Sequence, residues 1–363
     1  MAHQKFEEKE LTVVQEVPGF GGATLPVYDF PISPRESAVA TFRDKDPWWI
    51  LTNVEQNLFT PSVIPDNGAR GFVFEAQPYP REKFGGKDMF GVEWEYIDVA
   101  GGSMEKPGNP HLLEDASQWK EKVVFPDIDS WDWAGSAEMN REYLGNGRCN
   151  VMTFLNGCWF ERLISFMGFE NAAVAVIDEE QIPDIKALIH ELTSLYIRLI
   201  DKSLEYYDLD GFSIHDDWGA QKAPFFSEEV ARDIFLPEMK RFVDYVHSKN
   251  KFVDLHSCGH IEDRCNIFVE AGFDSWTPMP MNNTQQLYED YGDKIVLGIV
   301  YDKPFDPATA TEEEQRAAAR DFVEKYAKPG KPATYSLYNP VGMLTNAFRE
   351  ELYKASRIRY SQE

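Results

Sequence analysis

Two stretches, Asp210-Gly-Phe-Ser-Ile-His-Asp-Asp-Trp-Gly219 and Phe252-Val-Asp-Leu-His-Ser-Cys-Gly259, decide the reading of this chain. Each is a short apolar run that ends abruptly in residues able to do chemistry. Gly211-Phe-Ser-Ile214 and Phe252-Val-Asp-Leu-His256 have the length and composition of buried strands. His215-Asp216-Asp217 and His256-Ser257-Cys258 then fall at the strand exits. Asn156-Gly157, Pro278-Met-Pro280 and Tyr338-Asn339 close other strand-like runs in the same way. Several strand ends that carry polar groups together are the mark of a barrel mouth.

Outward from these stretches, strand and helix alternate from about residue 148 onward. Cys149–Leu155 predicts a strand, and Phe160–Phe166 opens a helix. Pro183–Tyr206 places Ile185, Leu188, Ile189, Leu192, Leu195, Tyr196, Leu199 and Ile200 at three-to-four spacing, an amphipathic helix. Ser227 and Thr311 supply N-caps followed by carboxylates. The pattern continues through strands at Phe273–Trp276, Lys294–Val300 and Ala333–Leu337, and helices at Ile261–Ala271, Thr284–Tyr291, Thr311–Ala327 and Thr345–Tyr360. It predicts an α/β fold, a (β/α)8 TIM barrel over 148–363 with an irregular N-terminal cap over 1–147, the whole forming one structural domain. Phe90–Val99 alternates like a hairpin strand within that cap. Gly-x-Gly-x-x-Gly, the P-loop pattern, Gly-x-Ser-x-Gly and His-Glu-x-x-His are all missing from the sequence, which removes the dinucleotide, P-loop, serine-hydrolase and zincin readings.

The chain has 363 residues and a formal charge of −25. Such a field repels phosphate backbones, so nucleic acid is excluded as a partner. Residues 1–12 alternate charge and polarity as neither a signal peptide nor a presequence does, and no window is long and apolar enough to span a bilayer. These features predict a cytoplasmic protein with no membrane partner. Its four cysteines, Cys149, Cys158, Cys258 and Cys265, read as thiols rather than as a disulfide framework.

His256 and Cys258 stand two apart at a strand exit, where both can face one cation, and sulfur with imidazole favours zinc. His215, Asp216 and Asp217, on the neighbouring exit, are candidates for completing the metal shell, orienting an imidazole or acting as a general acid. Glu161, in the first turn of a helix at another exit, joins them as a candidate catalytic group. The structural alternatives are an Asp pair that caps the following helix and a Glu placed there for the helix dipole. Aromatic residues make up 14% of the chain. Trp159, Trp218 and Tyr338, with Asn339, are candidates for a flat pocket that stacks an aromatic substrate.

The run Asp210–Gln221 through Phe252–Gly259 to Ile261 and Glu270–Asp274 resembles the uroporphyrinogen decarboxylase superfamily. Its His-x-Cys-Gly strand end is similar to that of the zinc-dependent, corrinoid-linked methyltransferases. Ile64-Pro-Asp-Asn67, Ala69-Arg-Gly-Phe72, Ala100-Gly-Gly-Ser103 and Phe160-Glu-Arg-Leu163 resemble the methyltransferase I components of anaerobic O-demethylases, of the veratrol-corrinoid protein type. The resemblance implies a TIM barrel, zinc, and transfer of a methyl group from a methoxylated aromatic to the cobalt of a partner corrinoid protein. It puts His256 and Cys258 on zinc-ligand positions. The thiol-methylating relatives carry a further Cys in a Pro-Gly-Cys turn, where this chain reads Tyr335-Ser-Leu-Tyr-Asn-Pro-Val-Gly342. The third ligand is therefore open among Asp216, Asp217, Glu161 and Cys158, in that order. The same gap counts against a coenzyme M-type thiol methyltransferase. The missing arginine-rich N-terminal motif counts against a uroporphyrinogen-type decarboxylase. A non-catalytic binder of corrinoid protein is the remaining alternative.

Overall fold

The computed structural model describes residues 3–18, 24–52, 54–99 and 101–361, so Ala100 of the motif quoted above lies outside the described residues. Among these, the chain runs β1 (Val13–Pro18), β2 (Thr24–Tyr28), α1 (Pro34–Asp44), β3 (Gln56–Phe59), α2 (Pro65–Arg70), β4 (Gly86–Lys87), β5 (Glu93–Ile97), β6 (Gly102–Glu105), α3 (Trp119–Lys122) and α4 (Trp133–Leu144). Strand and helix then alternate. β7 (Cys149–Phe154) is followed by α5 (Phe160–Ala175) and α6 (Ile182–Tyr206), and β8 (Gly211–His215) by α7 (Glu228–Val230) and α8 (Leu236–Ser248). β9 (Phe252–His256), α9 (Cys265–Ala271), β10 (Ser275–Trp276), α10 (Thr284–Tyr291), β11 (Val296–Ile299), α11 (Glu312–Tyr326), β12 (Ala333–Tyr335) and α12 (Asn346–Tyr360) complete the order.

Seven strands share one sheet in the order β12-β11-β10-β9-β8-β7-β3, with parallel registers from β7 to β9 and from β10 to β12. This is the expected α/β class, built from strands that are buried on both faces, as parallel sheets require. Among the described residues no helix is long and apolar enough to cross a membrane.

The chain divides into two compact units. One unit comprises Met1–Asn57, Gly147–Cys149 and Asp274–Glu363; the other comprises Leu58–Asn146 and Asn150–Phe273. The region expected to be an irregular cap therefore contributes β3 to the main sheet and its first residues to the same unit as the C-terminal strands. Gln56-Asn-Leu-Phe59 hides as a strand because it is short and lacks the β-branched run of a buried parallel strand. Helices α1 to α4 were likewise concealed there. α1 begins with a full capping box, Ser33 with Glu36, behind a proline at its first position, and Asp132 caps α4.

In the first unit, Tyr335 N–H on β12 donates to the Leu51 carbonyl at 3.0 Å, and α12 is tied to the N-terminal segment by Glu10. That buried carboxylate accepts from Arg357 Nε at 3.1 Å and from the Tyr353 hydroxyl at 2.5 Å.

In the second unit, the three-stranded antiparallel sheet β4-β5-β6 places a strand over Glu93–Ile97, inside the stretch 90–99, with β5 in the middle rather than in a two-stranded hairpin. Arg162, on α5 and fully buried, is the junction of this unit. Its guanidinium donates to Asp88 Oδ2 at 2.9 Å, to Asp66 Oδ2 on α2, and to the Tyr196 hydroxyl on α6 at 3.2 Å, and it lies over the Phe90 ring at 4.9 Å. The two carboxylates are in turn fixed by backbone: Asp66 accepts from Met89 N–H at 2.9 Å, and Asp88 from Phe90 and Val92 N–H at 2.9 and 3.0 Å. Removing the cation would leave two buried carboxylates uncompensated, a loss of about 3–5 kcal/mol. Arg162→Met is therefore expected to lower the stability from chemical denaturation by that amount. A midpoint within error of wild type would show that the junction carries no such load.

Candidate metal centre

Strands β8 and β9 run parallel in a register that pairs His215 with His256. Because both are last residues of neighbouring strands, their rings meet face to face, with centroids 4.4 Å apart and planes 7° from parallel. Asp217, two residues past the end of β8, brings Oδ1 to 3.9 Å from each of the two Nε2 atoms. The same oxygen accepts from Cys258 N–H at 2.6 Å, and the Cys258 Sγ lies 3.2 Å from His256 Nε2. His215, Asp217 and His256 each offer one donor atom, all within 4.8 Å of one another.

Charges around the cluster divide the two imidazoles. Burial and the neighbouring His215 lower the His256 pKa to about 3, so this ring is neutral and keeps a lone pair free to ligate. His215 is pushed the other way: burial works against its charge, but Glu161 and Asp217 outweigh that and raise its pKa. Its Nδ1 is hydrogen-bonded to Glu161 Oε2, which leaves Nε2 turned to the cluster. A carboxylate on the far nitrogen is the usual support of a metal-binding imidazole. Burial and Asp217 push the Cys258 thiol up.

Two imidazoles, a carboxylate and a thiol make a zinc donor set, and zinc bonds of about 2.0–2.3 Å would separate tetrahedral donors by about 3.3–3.8 Å. The observed separations of 3.2 and 3.9 Å bracket that range. The convergent donors His215, Asp217 and His256 are of types that zinc takes, and Cys258 touches the group through His256.

The two aspartates do different work, and here the sequence expectation is corrected. Asp216, first choice as third ligand, is fully buried and turned away from the cluster. It caps α5, the helix after the preceding strand: Oδ2 accepts from Phe160 N–H at 3.2 Å and Oδ1 from Glu161 N–H at 3.0 Å, while Trp218 Nε1 donates to Oδ2 at 2.6 Å. Burial, then Glu161, raise its pKa to about 7. Consecutive residues leaving a strand point to opposite sides, so only one of the pair can face the cluster. That residue is Asp217.

Glu161 sits at the first turn of α5, between His215 and Arg70, whose guanidinium is 3.5 Å away. Burial would raise this carboxyl, but His215 and Arg70 overcome it and hold the pKa at about 2. Arg70 also donates to Asn156 Oδ1. Asn156 and Gly157 form the turn between β7 and α5, both at positive φ. A side chain on Gly157 would stand 2.4 Å from the His215 carbonyl and 2.6 Å from Asp216 Oδ1, so glycine is what lets the turn pack on the strand end.

The other expected site residues have the following surroundings. Trp159 and Trp218 are fully buried; Trp159 meets Phe242 and Phe273 edge-on, and Trp218 packs on Phe226, Phe235 and Phe268. Both are core rather than pocket walls. Cys158 is also fully buried and stands outside the donor cluster. Asn339 belongs to the other unit, where its side chain clamps a turn. It accepts from Tyr301 N–H at 2.7 Å and donates to the Ile299 and Ser336 carbonyls at 3.0 and 2.9 Å. Tyr338, half-buried in the same turn, donates its backbone N–H to the Ser336 hydroxyl at 3.1 Å.

In the second unit a cavity of about 750 Å³ opens between β4-β5-β6 and α5, lined among others by Arg70, Trp94, Glu105, His111, Glu161 and Phe169. Glu161 thus touches the donor cluster on one side and the cavity on the other. Arg70 stands within the Ala69–Phe72 motif, and its cation lies 5.0 Å from the Trp94 ring. Glu105 and His111 carried no signal of periodicity or strand-end placement.

No protein-family model and no curated protein matches this chain. Among solved structures, a methyltransferase from Methanosarcina mazei is similar over 90% of this chain and 98% of its own, with a TM-score of 0.59 and 14% identity. A xylose isomerase-like TIM barrel protein from Mycobacterium smegmatis, in complex with magnesium, covers 62% of this chain and 78% of its own with a TM-score of 0.34 and 13% identity. At 14% identity the first likeness is one of fold.

The aspartates give a paired prediction. Asp217→Ala should abolish stoichiometric zinc, measured by elemental analysis after dialysis, with little change in the unfolding midpoint. Asp216→Ala should cost about 1–2 kcal/mol of stability through the lost cap. Zinc retained in Asp217→Ala and lost in Asp216→Ala would reverse the assignment.

Proposed function

We propose that this chain is a zinc-dependent methyltransferase that takes the methyl group of an aryl methyl ether and passes it to the cobalt of a partner corrinoid protein. The observation that carries this reading is the convergence of His215, Asp217 and His256, with Cys258 beside them, next to a cavity wide enough for an aromatic ring. The fold likeness to the Methanosarcina mazei methyltransferase and the sequence resemblance to O-demethylase components support it.

The reaction breaks the bond between methyl carbon and ring oxygen. The methyl group leaves for the reduced cobalt of the partner, and the oxygen departs with the bonding pair as an aryloxide that then takes up a proton. Zinc, when held by the three convergent donors His215, Asp217 and His256, would supply a Lewis acid for the developing oxygen charge. The protein's own residues do the placing. Glu161 fixes the orientation of His215, and Arg70 fixes Glu161 from the other side. Trp94 and Phe169 give the cavity aromatic walls suited to a flat ring. The proposed partner is a corrinoid protein, and the proposed cofactor of this chain is zinc alone.

Incubation with reduced corrinoid protein and a panel of methoxyarenes, methanol, methylamines and methyl thioethers, followed by absorbance, tests the proposal. Methyl-cobalt should form with methoxyarenes only, fall at least tenfold after chelation and return with added zinc. Turnover unchanged by complete removal of zinc, or confined to a non-aromatic donor, would refute it.

A further inference from the structure

Past the two strand ends that carry the imidazoles, the exits of β8 and β9 stay together for several residues more. Three residues, Asp216, Asp217 and Trp218, separate His215 from Gly219, whereas two, Ser257 and Cys258, separate His256 from Gly259. Yet Gly219 and Gly259 meet again, and His260 N–H donates to the Ala220 carbonyl at 2.8 Å. A surplus residue on one of two paired segments is the arithmetic of a β-bulge, a device that re-aims side chains beside a site. The stretch with the surplus is the one that carries Asp217, whose Oδ1 accepts from Cys258 N–H at 2.6 Å.

Backbone alone closes the pairing after the surplus. Gly259 has φ 105°, and a Cβ there would stand 2.3, 2.4 and 2.5 Å from the carbonyl carbon, carbonyl oxygen and Cα of Gly219. None of these is the movable tip of a side chain. A Cβ on Gly219 would stand 2.5 Å from Ile261 Cγ2 and 3.2 Å from the Ala223 carbonyl oxygen. The approach of glycine to glycine thus clasps one exit to the other, with Asp217 and Cys258 just inside it. Beyond the clasp the β8 exit folds on itself, with Ala220 N–H donating to the Ala223 carbonyl at 2.9 Å and Phe225 N–H to the Trp218 carbonyl at 2.8 Å. That hairpin would have to open before Gly219 could retreat.

Magnitudes indicate what the clasp does. Carbon atoms in ordinary contact stand about 3.5 Å apart, so a methyl group at position 259 drives the two exits apart by about 1 Å. Cys258 is the adjacent residue, and its 2.6 Å bond to Asp217 would lengthen to about 3.6 Å, which is no longer a hydrogen bond. The carboxylate would lose the donor that holds Oδ1 between the two Nε2 atoms, each 3.9 Å away. No substitution at Cys258 itself removes a backbone N–H, short of proline. The two glycines are therefore where the sequence controls that contact.

We propose that Gly219 and Gly259 are positioning residues of the metal centre: by keeping Cys258 N–H on Asp217 they set the affinity of the three-donor cluster for zinc. The proposal rests on the reading of His215, Asp217 and His256 as zinc donors. The glycines act through Asp217, in the way that hydrogen-bonded support of a ligating carboxylate tunes a metal site.

Competition with a chromophoric chelator measures the zinc affinity of the full chain, and the visible absorption of cobalt(II) put in place of zinc reports its donor set. Gly259→Ala should bind zinc about ten- to a hundredfold more weakly than wild type, the usual loss when the support of a ligand is removed. Its cobalt bands should shift as the carboxylate withdraws. Gly219→Ala should move both readouts in the same direction. The control is Gly272→Ala, in the same unit but remote from both exits in the chain. That glycine ends α9 at φ 94°, with Val243 Cγ1 3.3 Å from an added Cβ, so the substitution brings comparable backbone strain. It should lower the unfolding midpoint and keep wild-type zinc affinity and cobalt bands. Circular dichroism checks each fold, and Gly219→Ala, whose shortest clash is with a side-chain methyl, carries the test should Gly259→Ala fail to fold. Wild-type affinity and cobalt bands in a folded Gly259→Ala, or an equal loss of affinity in Gly272→Ala, would overturn the proposal. A wild-type chain that takes up no zinc would sink the metal reading and the clasp together, whereas stoichiometric zinc held with an affinity indifferent to both glycines would sink the clasp alone.

Discussion

A guanidinium withdrawn from water must be met by carboxylates, and in this chain that requirement organises the unit that holds the site. Arg162 has no exposed surface, and its partners come from α2, from the approach to β5 and from α6. The charges gather segments that propensity alone would leave apart. Asp88 also accepts from Trp94 Nε1 at 3.2 Å, so the wall of the cavity hangs from the same carboxylate that neutralises the arginine. Glu161 precedes Arg162, and Arg70 ends the helix that contains Asp66; the residues that brace His215 are thus set by the junction beneath them. Replacing a buried ion pair with hydrophobic residues is often neutral for stability, so the value of this one lies in fixing the positions of those segments.

The donor cluster comes from a simpler rule. Parallel strands in register bring equivalent ends together, and His215 and His256 are equivalent ends. Their stacking needs no further device. What does need one is the distribution of charge beyond them, where one aspartate faces the rings and the other reaches back to the helix after the previous strand. The backbone provides it by alternation, helped by the Asp216 N–H, which donates to the His256 carbonyl at 3.0 Å.

Much of this was legible in the chain. The buried strands β7, β8, β9 and β11 and the helices α6, α10, α11 and α12 follow from apolar spacing and caps, and the strand-end rule led to His215, Asp217, His256 and Cys258. The rule could not tell Asp216 from Asp217, because the side a residue takes after a strand end depends on backbone direction and not on residue type. β3 escaped because its four residues, Gln56-Asn-Leu-Phe59, have neither alternation nor β-branching. α1 was overlooked although Ser33-Pro-Arg-Glu36 spells out a cap, because the surrounding Pro and aromatic residues made the region read as irregular. Trp159 and Trp218 were drawn to the pocket by their nearness to turns, yet large rings next to strand ends also fill the space between sheet and helices. Glu105 and His111 lie on a short sheet and a loop, where position along the chain carries no period to read.

The cap formed by Asp216 has a mechanical meaning as well. Its carboxylate grips the first two N–H groups of α5 while its own backbone continues β8, so strand end and helix start are one piece. A displacement of His215 is then handed to Glu161 through two linkages at once, the side-chain contact and the cap, and from Glu161 to the wall of the cavity. The spacing between cluster and cavity is thus set by bonds already present in the folded chain.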